Sequence, residues 1–206
     1  GGGVCQVSTT LYNAVYRSGL GEESISFRRS HTFEPNYVTP GQDAAISWDY
    51  PDFRFVNTSE AAIGIRASYS NRKTTVAIYG VPVLEEGVTW SLESEKVEEL
   101  EPPESTYEED PTLAPGTEVV KKAGTKGSRW VTYKVVKKNG EVIERTEDHS
   151  KEYKGHAAII RRNSGKTQVN ETSAVAKTTA AATVDGMPDD YVPGQKEKVA
   201  PESSAQ

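Results

Sequence analysis

The sequence predicts an α+β fold in which one amino-terminal helix precedes antiparallel β structure. Apolar residues recur at helical spacing within residues 5–18, whereas those of residues 24–162 fall in short alternating runs separated by turn residues. Residues 163–206 are rich in Ala, Thr, Ser, Pro and Lys and have no periodicity, which predicts a disordered tail.

Composition excludes several classes of protein. Hydrophobic residues make up 35% of the 206, the mean hydropathy is -0.63, and no stretch approaches the roughly 18–20 apolar residues of a membrane-spanning helix. The formal net charge of -6 argues against nucleic acid as the main partner. A single cysteine, Cys5, leaves no internal disulfide.

The predicted helix covers residues 5–18. Its sequence, CQVSTTLYNAVYRS, places four apolar side chains on one face, namely Val7, Leu11, Ala14 and Val15. Gly19 follows as a stop signal. Cys5 is therefore expected at the amino-terminal end of the helix.

Short β strands are predicted after the helix. Their expected ranges are 25–30, 44–48, 53–57, 61–70, 73–80 and 88–100. The turn at Asn71-Arg72 predicts a hairpin, and 88–100 is expected to be the last strand of a first domain that covers residues 1–100.

A second unit is expected beyond a linker. Residues 101–116 are acidic and Pro-rich, which favours an extended, solvated linker. Residues 117–162 alternate apolar and polar residues around Asn139-Gly140, a strong hairpin signal, and predict a small all-β module. This unit contains 12 basic and 6 acidic residues. The excess of positive charge fits either a unit that lies against an anionic surface or ordinary strands exposed to solvent.

Cys5 is the first candidate for chemistry. The start of a helix stabilises a thiolate, and the preceding glycines leave room for a substrate carbonyl. His31 could serve as its base, giving the order of parts found in papain-like enzymes. A small packing residue at Cys5 and a plain surface histidine at His31 are the alternatives. One cysteine and three scattered histidines give no ligand spacing, so neither a metal nor another cofactor is expected.

The stretch GGGVCQVSTTLYNAV resembles the signature segment of VanW-family proteins. The likeness continues through RRSHTFEPNYVTPGQDA to DYPDFRFVN. Such domains normally extend upstream of the glycine run, so we expect this one to be truncated at its amino terminus. The second unit resembles a five-glycine domain, with Gly116, Gly124, Gly127, Gly140 and Gly155 at the characteristic places.

The resemblance implies an extracellular protein of the cell wall, linked by its family to vancomycin resistance and held at the membrane by an upstream anchor. Its expected partners are peptidoglycan stem peptides and wall glycans. It further implies L,D-transpeptidase activity in which Cys5 forms an acyl-enzyme and His31 is the base. Asp43 is the first choice to orient His31, with Asp52 second.

Neighbouring residues complete the candidate site. Gly3, Gln6, Arg29 and Tyr37 are expected to bind substrate, with Arg28 as the alternative to Arg29 for holding a stem carboxylate. Ser8 and Thr9 are expected to cap the helix, and His149 and His156 to lie on the surface. A non-catalytic peptidoglycan-binding accessory protein and a thiol peptidoglycan hydrolase remain alternative functions.

Overall fold

The computed structural model of the 206-residue chain describes residues 3–20 and 24–165. The predicted disordered tail therefore lies outside the described residues from 166 onward. In the described part, one amino-terminal helix is followed by mostly antiparallel β structure, as predicted. Within the same residues no helix has both the length and the apolar character needed to cross a membrane.

Helix α1 spans Val4–Val15 and continues into a π-helical turn at Tyr16–Leu20. Gly19, with φ 86°, ends the helical path, as predicted. The buried face differs from the predicted one. It comprises Ser8, Thr9, Tyr12 and Val15, whereas Val7 is 45% exposed. The difference arises because α1 faces an irregular polar segment whose main chain requires hydroxyl and amide partners.

Ten strands occur among the described residues. In chain order they are β1 Ile25–Phe27, β2 Arg54–Phe55, β3 Gly64–Ser70, β4 Lys73–Tyr79, β5 Val88–Leu100, β6 Thr106–Glu109, β7 Glu118–Lys122, β8 Gly127–Lys138, β9 Glu141–Tyr153 and β10 Ile159–Arg162. Strands β3 and β4 form the predicted hairpin, with Asn71 and Arg72 both at positive φ in its turn. Strand β1 pairs antiparallel with β2.

The largest sheet has the order β5-β8-β9 and is antiparallel throughout. Asn139 and Gly140, with φ 52° and 89°, form the tight turn between β8 and β9, as predicted. Strand β5, expected to run out of the first domain, instead pairs with β8 from Val88 to Leu100. It therefore belongs to the same sheet as the second unit.

Residues 101–116 are more than the expected linker. They contain β6, which pairs parallel with β10, and β10 pairs antiparallel with β7. Acidic side chains of β6 meet basic side chains of the other two strands, as in Glu108–Lys121 and Glu109–Arg162. The acidic and basic segments that look separate in the sequence are therefore neighbours across a small sheet.

The predicted strand at 44–48 is absent. This stretch runs beside α1, and its main chain bonds to helix side chains rather than to another strand. Ser8 Oγ donates to the Ala44 carbonyl, and Asn13 Nδ2 donates to the Gln42 carbonyl at 2.8 Å. A run of small apolar residues resembles a strand in sequence, but here its hydrogen-bonding partner is a helix surface.

The hydrophobic core joins the two halves of the chain. Tyr12 and Tyr16 of the helical segment pack with Ala44 and with Leu92 of β5, and Ile25 and Phe53 lie against this cluster. Strand β5 of the long sheet thus packs against the Tyr16–Leu20 turn, whereas β4 of the hairpin packs against α1.

Candidate functional site

Cys5 occupies the first turn of α1. Gly3 precedes the helix with φ 82°, a left-handed conformation that favours glycine, and its carbonyl accepts from the Gln6 and Val7 N–H groups at 3.0 and 3.2 Å. The Cys5 thiol donates to the Ile46 carbonyl at 3.4 Å. It is a free, half-buried cysteine beside the positive end of a helix dipole.

His31 lies on the irregular segment that follows β1. Its ring nitrogen Nδ1 is 2.5 Å from Asp43 Oδ2, and its main-chain N–H donates to the same oxygen at 2.6 Å. The opposite nitrogen, Nε2, is 3.2 Å from Tyr37 Oη. Cys5 lines the same pocket as His31, and each of the two side chains shifts the pKa of the other. The imidazole therefore lies beside both a thiol and a carboxylate.

Asp43 is completely buried. Its second oxygen, Oδ1, accepts a hydrogen bond from Tyr153 Oη at 2.5 Å, and that phenol oxygen accepts from the Gly41 N–H at 2.6 Å. Burial alone would raise the pKa of Asp43, but hydrogen bonds from His31 and Tyr153 lower it below its ordinary value. The carboxylate therefore stays charged beneath His31.

Cys5 and His31 shift one another's protonation. Burial opposes ionisation of the thiol, but the interaction with His31 outweighs it and lowers the pKa of Cys5. Burial likewise opposes protonation of the imidazole, but hydrogen bonds to Asp43 and Cys5 raise the pKa of His31 to about 9. Both shifts are in the direction that favours a thiolate beside an imidazolium.

The main chain on both sides of Asp43 is bonded to α1. The Gln42 carbonyl accepts from Asn13, and Thr9 Oγ1 accepts from the Ala44 N–H at 3.0 Å. The side chain of Asp43 itself bonds to His31. Gly41, with φ 90°, precedes this segment, and a side chain there would overlap Thr132 Oγ1 of β8.

A pocket of about 260 Å³ opens beside Cys5 and His31. The residues that line it are Gly3, Val4, Cys5, Gln6, His31, Phe33, Glu34, Pro35, Asn36 and Tyr37. Of the residues expected to bind substrate, Gly3, Gln6 and Tyr37 therefore lie at the pocket.

Three residues that the sequence suggested for the site lie away from the pocket. Arg29 is not brought to the pocket, because its Nε donates to Tyr50 Oη at 3.1 Å. Arg28 turns inward, and its Nη1 donates to the Asp43 carbonyl at 2.8 Å. Asp52 is half-exposed and bonds to the Phe53 N–H and Arg54, so it does not reach His31.

Ser8 does not cap the helix as expected, since its hydroxyl donates to the Cys5 and Ala44 carbonyls. His149 is not a plain surface residue either. Its Nδ1 donates to Asp148 at 2.6 Å, and its Nε2 lies 2.8 Å from the Gly41 carbonyl. His156 stacks on Phe33 with ring centroids 4.1 Å apart.

Sequence reasoning missed Tyr153, which lies 110 residues beyond its partner Asp43. No local pattern distinguishes this tyrosine at the end of a polar strand. For residues 3–20 and 24–165, no group of three or more His, Cys, Asp or Glu side chains could hold a metal ion. The arrangement supplies an activated thiol, a proton carrier and a buried carboxylate that orients the carrier.

The chain matches two family models. Residues 1–79 match that of the VanW like proteins, and residues 93–162 match that of the G5 domain. A VanW-like segment is thus followed by a G5 domain, as the resemblance predicted. The start of the G5 match at residue 93 agrees with the pairing of β5 in the long sheet.

One relative is a Bacillus subtilis (strain 168) protein described as "Uncharacterized protein YoaR". It is 48% identical over 84 residues, which are 41% of this chain and 27% of the relative. The chain therefore spans about a quarter of that relative's length.

Two solved G5 domain structures are also similar. The IgA1 protease G5 domain is 20% identical, with 37% of this chain and 88% of that chain covered and a TM-score of 0.26. The HP0197 G5 domain is 21% identical, with 36% and 97% covered and a TM-score of 0.23.

Proposed function

We propose that this chain carries a cysteine-dependent L,D-transpeptidase centre that acts on peptidoglycan stem peptides. The observation that carries the proposal is the buried Asp43–His31 pair held against a thiol at the start of α1, beside a pocket. The substrate class is supported by the combination of a VanW-like segment with a G5 domain, which is typical of cell-wall-associated proteins.

In the first step, the Cys5 thiolate attacks the carbonyl carbon that precedes the terminal D-alanine. The carbonyl oxygen becomes an oxyanion, which the start of α1 and the Gln6 side chain would stabilise. The His31 imidazolium then gives its proton to the departing D-alanine amine. The C–N bond breaks, and a thioester on Cys5 and neutral His31 remain.

The second step transfers the acyl group. A side-chain amine of diaminopimelate on another stem attacks the thioester, and His31 takes the proton that this amine releases. The C–S bond breaks and the new amide is the cross-link, which restores the thiolate–imidazolium pair. Water in place of the amine would make the same centre a hydrolase.

The surrounding residues would have parts in binding the substrate and the wall. Gly3, Gln6 and Tyr37 would contact the donor stem, because they line the pocket beside Cys5. Arg29 would not, since it is engaged with Tyr50. The G5 domain would bind wall glycans and keep the protein at the extracellular wall. The order of a thiol-bearing helix and a later histidine is shared with papain-like enzymes, which supports the acyl-enzyme route.

The test is mass spectrometry of the protein incubated with disaccharide-tetrapeptide muropeptides. We expect a cross-linked dimer and free D-alanine from the wild type and neither from Cys5→Ala. Asp43→Asn should lower the rate about 10²–10⁴-fold, because the imidazole loses its orienting charge. Asp52→Asn is the matched control and should leave the rate unchanged, because Asp52 is half-exposed and does not contact His31.

Each other outcome has a definite meaning. Free D-alanine with tripeptide as the remaining product would replace transpeptidation by hydrolysis at the same thiol. No change of mass, together with wall binding that Cys5→Ala retains, would make the protein a non-catalytic wall-binding accessory and refute the proposal.

A further inference from the structure

We infer that the G5 domain completes the candidate site, with Tyr153 of β9 as the positioning residue that holds the Asp43 carboxylate in place for His31. The inference rests on the proposed function, since it requires Cys5 to act as a nucleophile. It gives the G5 domain a part in the chemistry in addition to any part in binding the wall.

The hydrogen bonds of Asp43 carry the inference. Oδ2 accepts both the main-chain N–H and Nδ1–H of His31, whereas Oδ1 accepts from Tyr153 Oη. Tyr153 and Asp43 are both at 0% exposure, so water does not take the place of either partner. The phenol is itself fixed, because it accepts from the Gly41 N–H. Each carboxylate oxygen therefore has its own hydrogen-bond donor. The VanW-like segment supplies the donors to Oδ2, and β9 of the G5 domain supplies the donor to Oδ1.

Tyr153 is well placed for this role because it ends a long strand. It pairs with Ser128 of β8. Its neighbour Lys154 donates its main-chain N–H to the Thr32 carbonyl at 2.8 Å. On β8, Trp130 Nε1 donates to Glu34 at 2.8 Å. The sheet therefore holds the chain directly after His31. A group on such an element positions its partner better than one on a loop.

The charged groups around Tyr153 keep it a donor. Asp43 faces its hydroxyl, Arg28 approaches from the irregular segment, and Lys151 Nζ lies 5.9 Å from the centroid of its ring. Burial and the charge of Asp43 raise the pKa of Tyr153 well above its ordinary value. The phenol thus stays protonated across the pH range in which Cys5 and His31 titrate.

Removal of the phenol hydroxyl has a consequence at Cys5, three groups away. Asp43 Oδ1 would lose the donor that the structure gives it, and a buried carboxylate without that partner takes up a proton more readily. A less charged and less fixed Asp43 stabilises the His31 imidazolium less well. The Cys5 thiolate then loses its counter-charge, so the thiol ionises at higher pH.

The test is the rate of Cys5 alkylation by iodoacetamide as a function of pH, in the wild type, Tyr153→Phe and Tyr16→Phe. Tyr16→Phe is a matched control, because it removes another buried phenol hydroxyl whose bond to Asp148 crosses between the same two parts of the chain. We expect the midpoint of the Tyr153→Phe profile to rise by about one pH unit, which slows alkylation below the midpoint about tenfold. The Tyr16→Phe profile should match the wild type.

Two results would overturn the inference. One is a Tyr153→Phe profile that coincides with that of the wild type while the variant is folded. The other is an equal shift in Tyr16→Phe, which would reduce the effect to general loosening of the contact. Because the readout needs no wall substrate, inert muropeptides together with a shifted Tyr153→Phe profile would refute the transpeptidase and leave the positioning role standing.

A second measurement covers a Tyr153→Phe variant that does not fold. In wild-type protein labelled with ¹³C at tyrosine Cζ, alkylation of Cys5 should move two resonances, those of Tyr37 and Tyr153, since these tyrosines contact His31 and Asp43. Tyr37→Phe should remove one of the two. If no moving resonance remains in Tyr37→Phe, the inference fails.

Discussion

At the scale of residues, Cys5 and His31 have opposite effects on how stability depends on pH. The pKa of Cys5 lies below its ordinary 9.0, so its contribution to stability is full above 9.0 and is lost as the pH falls towards the folded-state value. The pKa of His31 is raised from 6.5 to about 9, so its contribution is full below 6.5 and is lost as the pH rises to about 9. Between the folded-state pKa of Cys5 and 9 the two slopes therefore have opposite signs.

This opposition predicts a difference between the wild type and Cys5→Ala. With the thiol removed, His31 keeps a raised pKa because Asp43 remains. The stability that His31 contributes is then lost as the pH rises, and no increasing contribution from Cys5 offsets that loss. The free energy of unfolding of Cys5→Ala, measured with urea from pH 6.5 to 9, should therefore fall with pH relative to that of the wild type. Parallel curves would contradict the thiolate–imidazolium pair.

The candidate nucleophile, base and orienting carboxylate could be predicted from the sequence, but the residues that contact them in the fold could not. Cys5 and His31 stand out because few groups of their kind exist in the chain, and Asp43 follows as a nearby carboxylate. Whether Arg28 or Arg29 turns inward depends on the exit angle of β1, which no local pattern encodes. Tyr153 reaches Asp43 only through the register of a sheet formed far along the chain.

At the scale of elements, the contact between α1 and residues 42–46 replaces a strand ladder with side-chain hydrogen bonds. Thr9 Oγ1 accepts from the Ala44 N–H at 3.0 Å, while the next hydroxyl along, Thr10 Oγ1, donates within the helix to the Gln6 carbonyl. The bond from Ala44, the neighbour of Asp43, fixes this segment against the helix that carries Cys5. The bond of Thr10 is exposed and lies entirely within α1.

The two threonines give a matched pair of substitutions. Thr9→Val keeps the side-chain shape but leaves the buried Ala44 N–H without its acceptor, and should cost about 1–3 kcal/mol of stability. Thr10→Val should change the free energy of unfolding by less than about 0.5 kcal/mol. Urea unfolding of both variants measures the difference. Equal effects would show that the Ala44 contact contributes nothing particular.

Elements with their own turn chemistry were predictable. The β3–β4 and β8–β9 hairpins follow from Asn71-Arg72 and Asn139-Gly140, since local φ values fix their registers. Residues 44–48 were misassigned because their partner is a helix. Strand β6 was missed because it pairs parallel with β10, about fifty residues later, and composition carries no sign of such a partner.

At the scale of the whole molecule, the VanW-like segment shares a core with β5, the strand that joins the G5 domain in the long sheet. Leu92 of β5, only 6% exposed, packs with Tyr12, Tyr16 and Ala44. A shared core couples the unfolding of its parts. Tryptophan fluorescence, to which Trp90 and Trp130 of the long sheet contribute, and the exposure of Cys5 to alkylation should therefore report one transition.

Leu92→Ala tests this coupling. It should cost about 2–5 kcal/mol through lost burial and the resulting cavity, and should move both transitions to lower urea together. Val97→Ala on the same strand is the control, because Val97 is 51% exposed and should lose far less. A Leu92→Ala variant in which fluorescence changes first, with Cys5 still protected, would show that the two parts unfold independently.

The bond between Tyr153 and Asp43 also sets an order of events during synthesis. The helix with Cys5 leaves the ribosome early, whereas Tyr153 is added 148 residues later, which takes about 7–30 s at usual elongation rates. Throughout that interval the nascent chain lacks the strand that steadies Asp43. On the proposed mechanism, the thiol would reach its full reactivity only after β9 has been made, and this delay would protect the nascent chain from premature acylation.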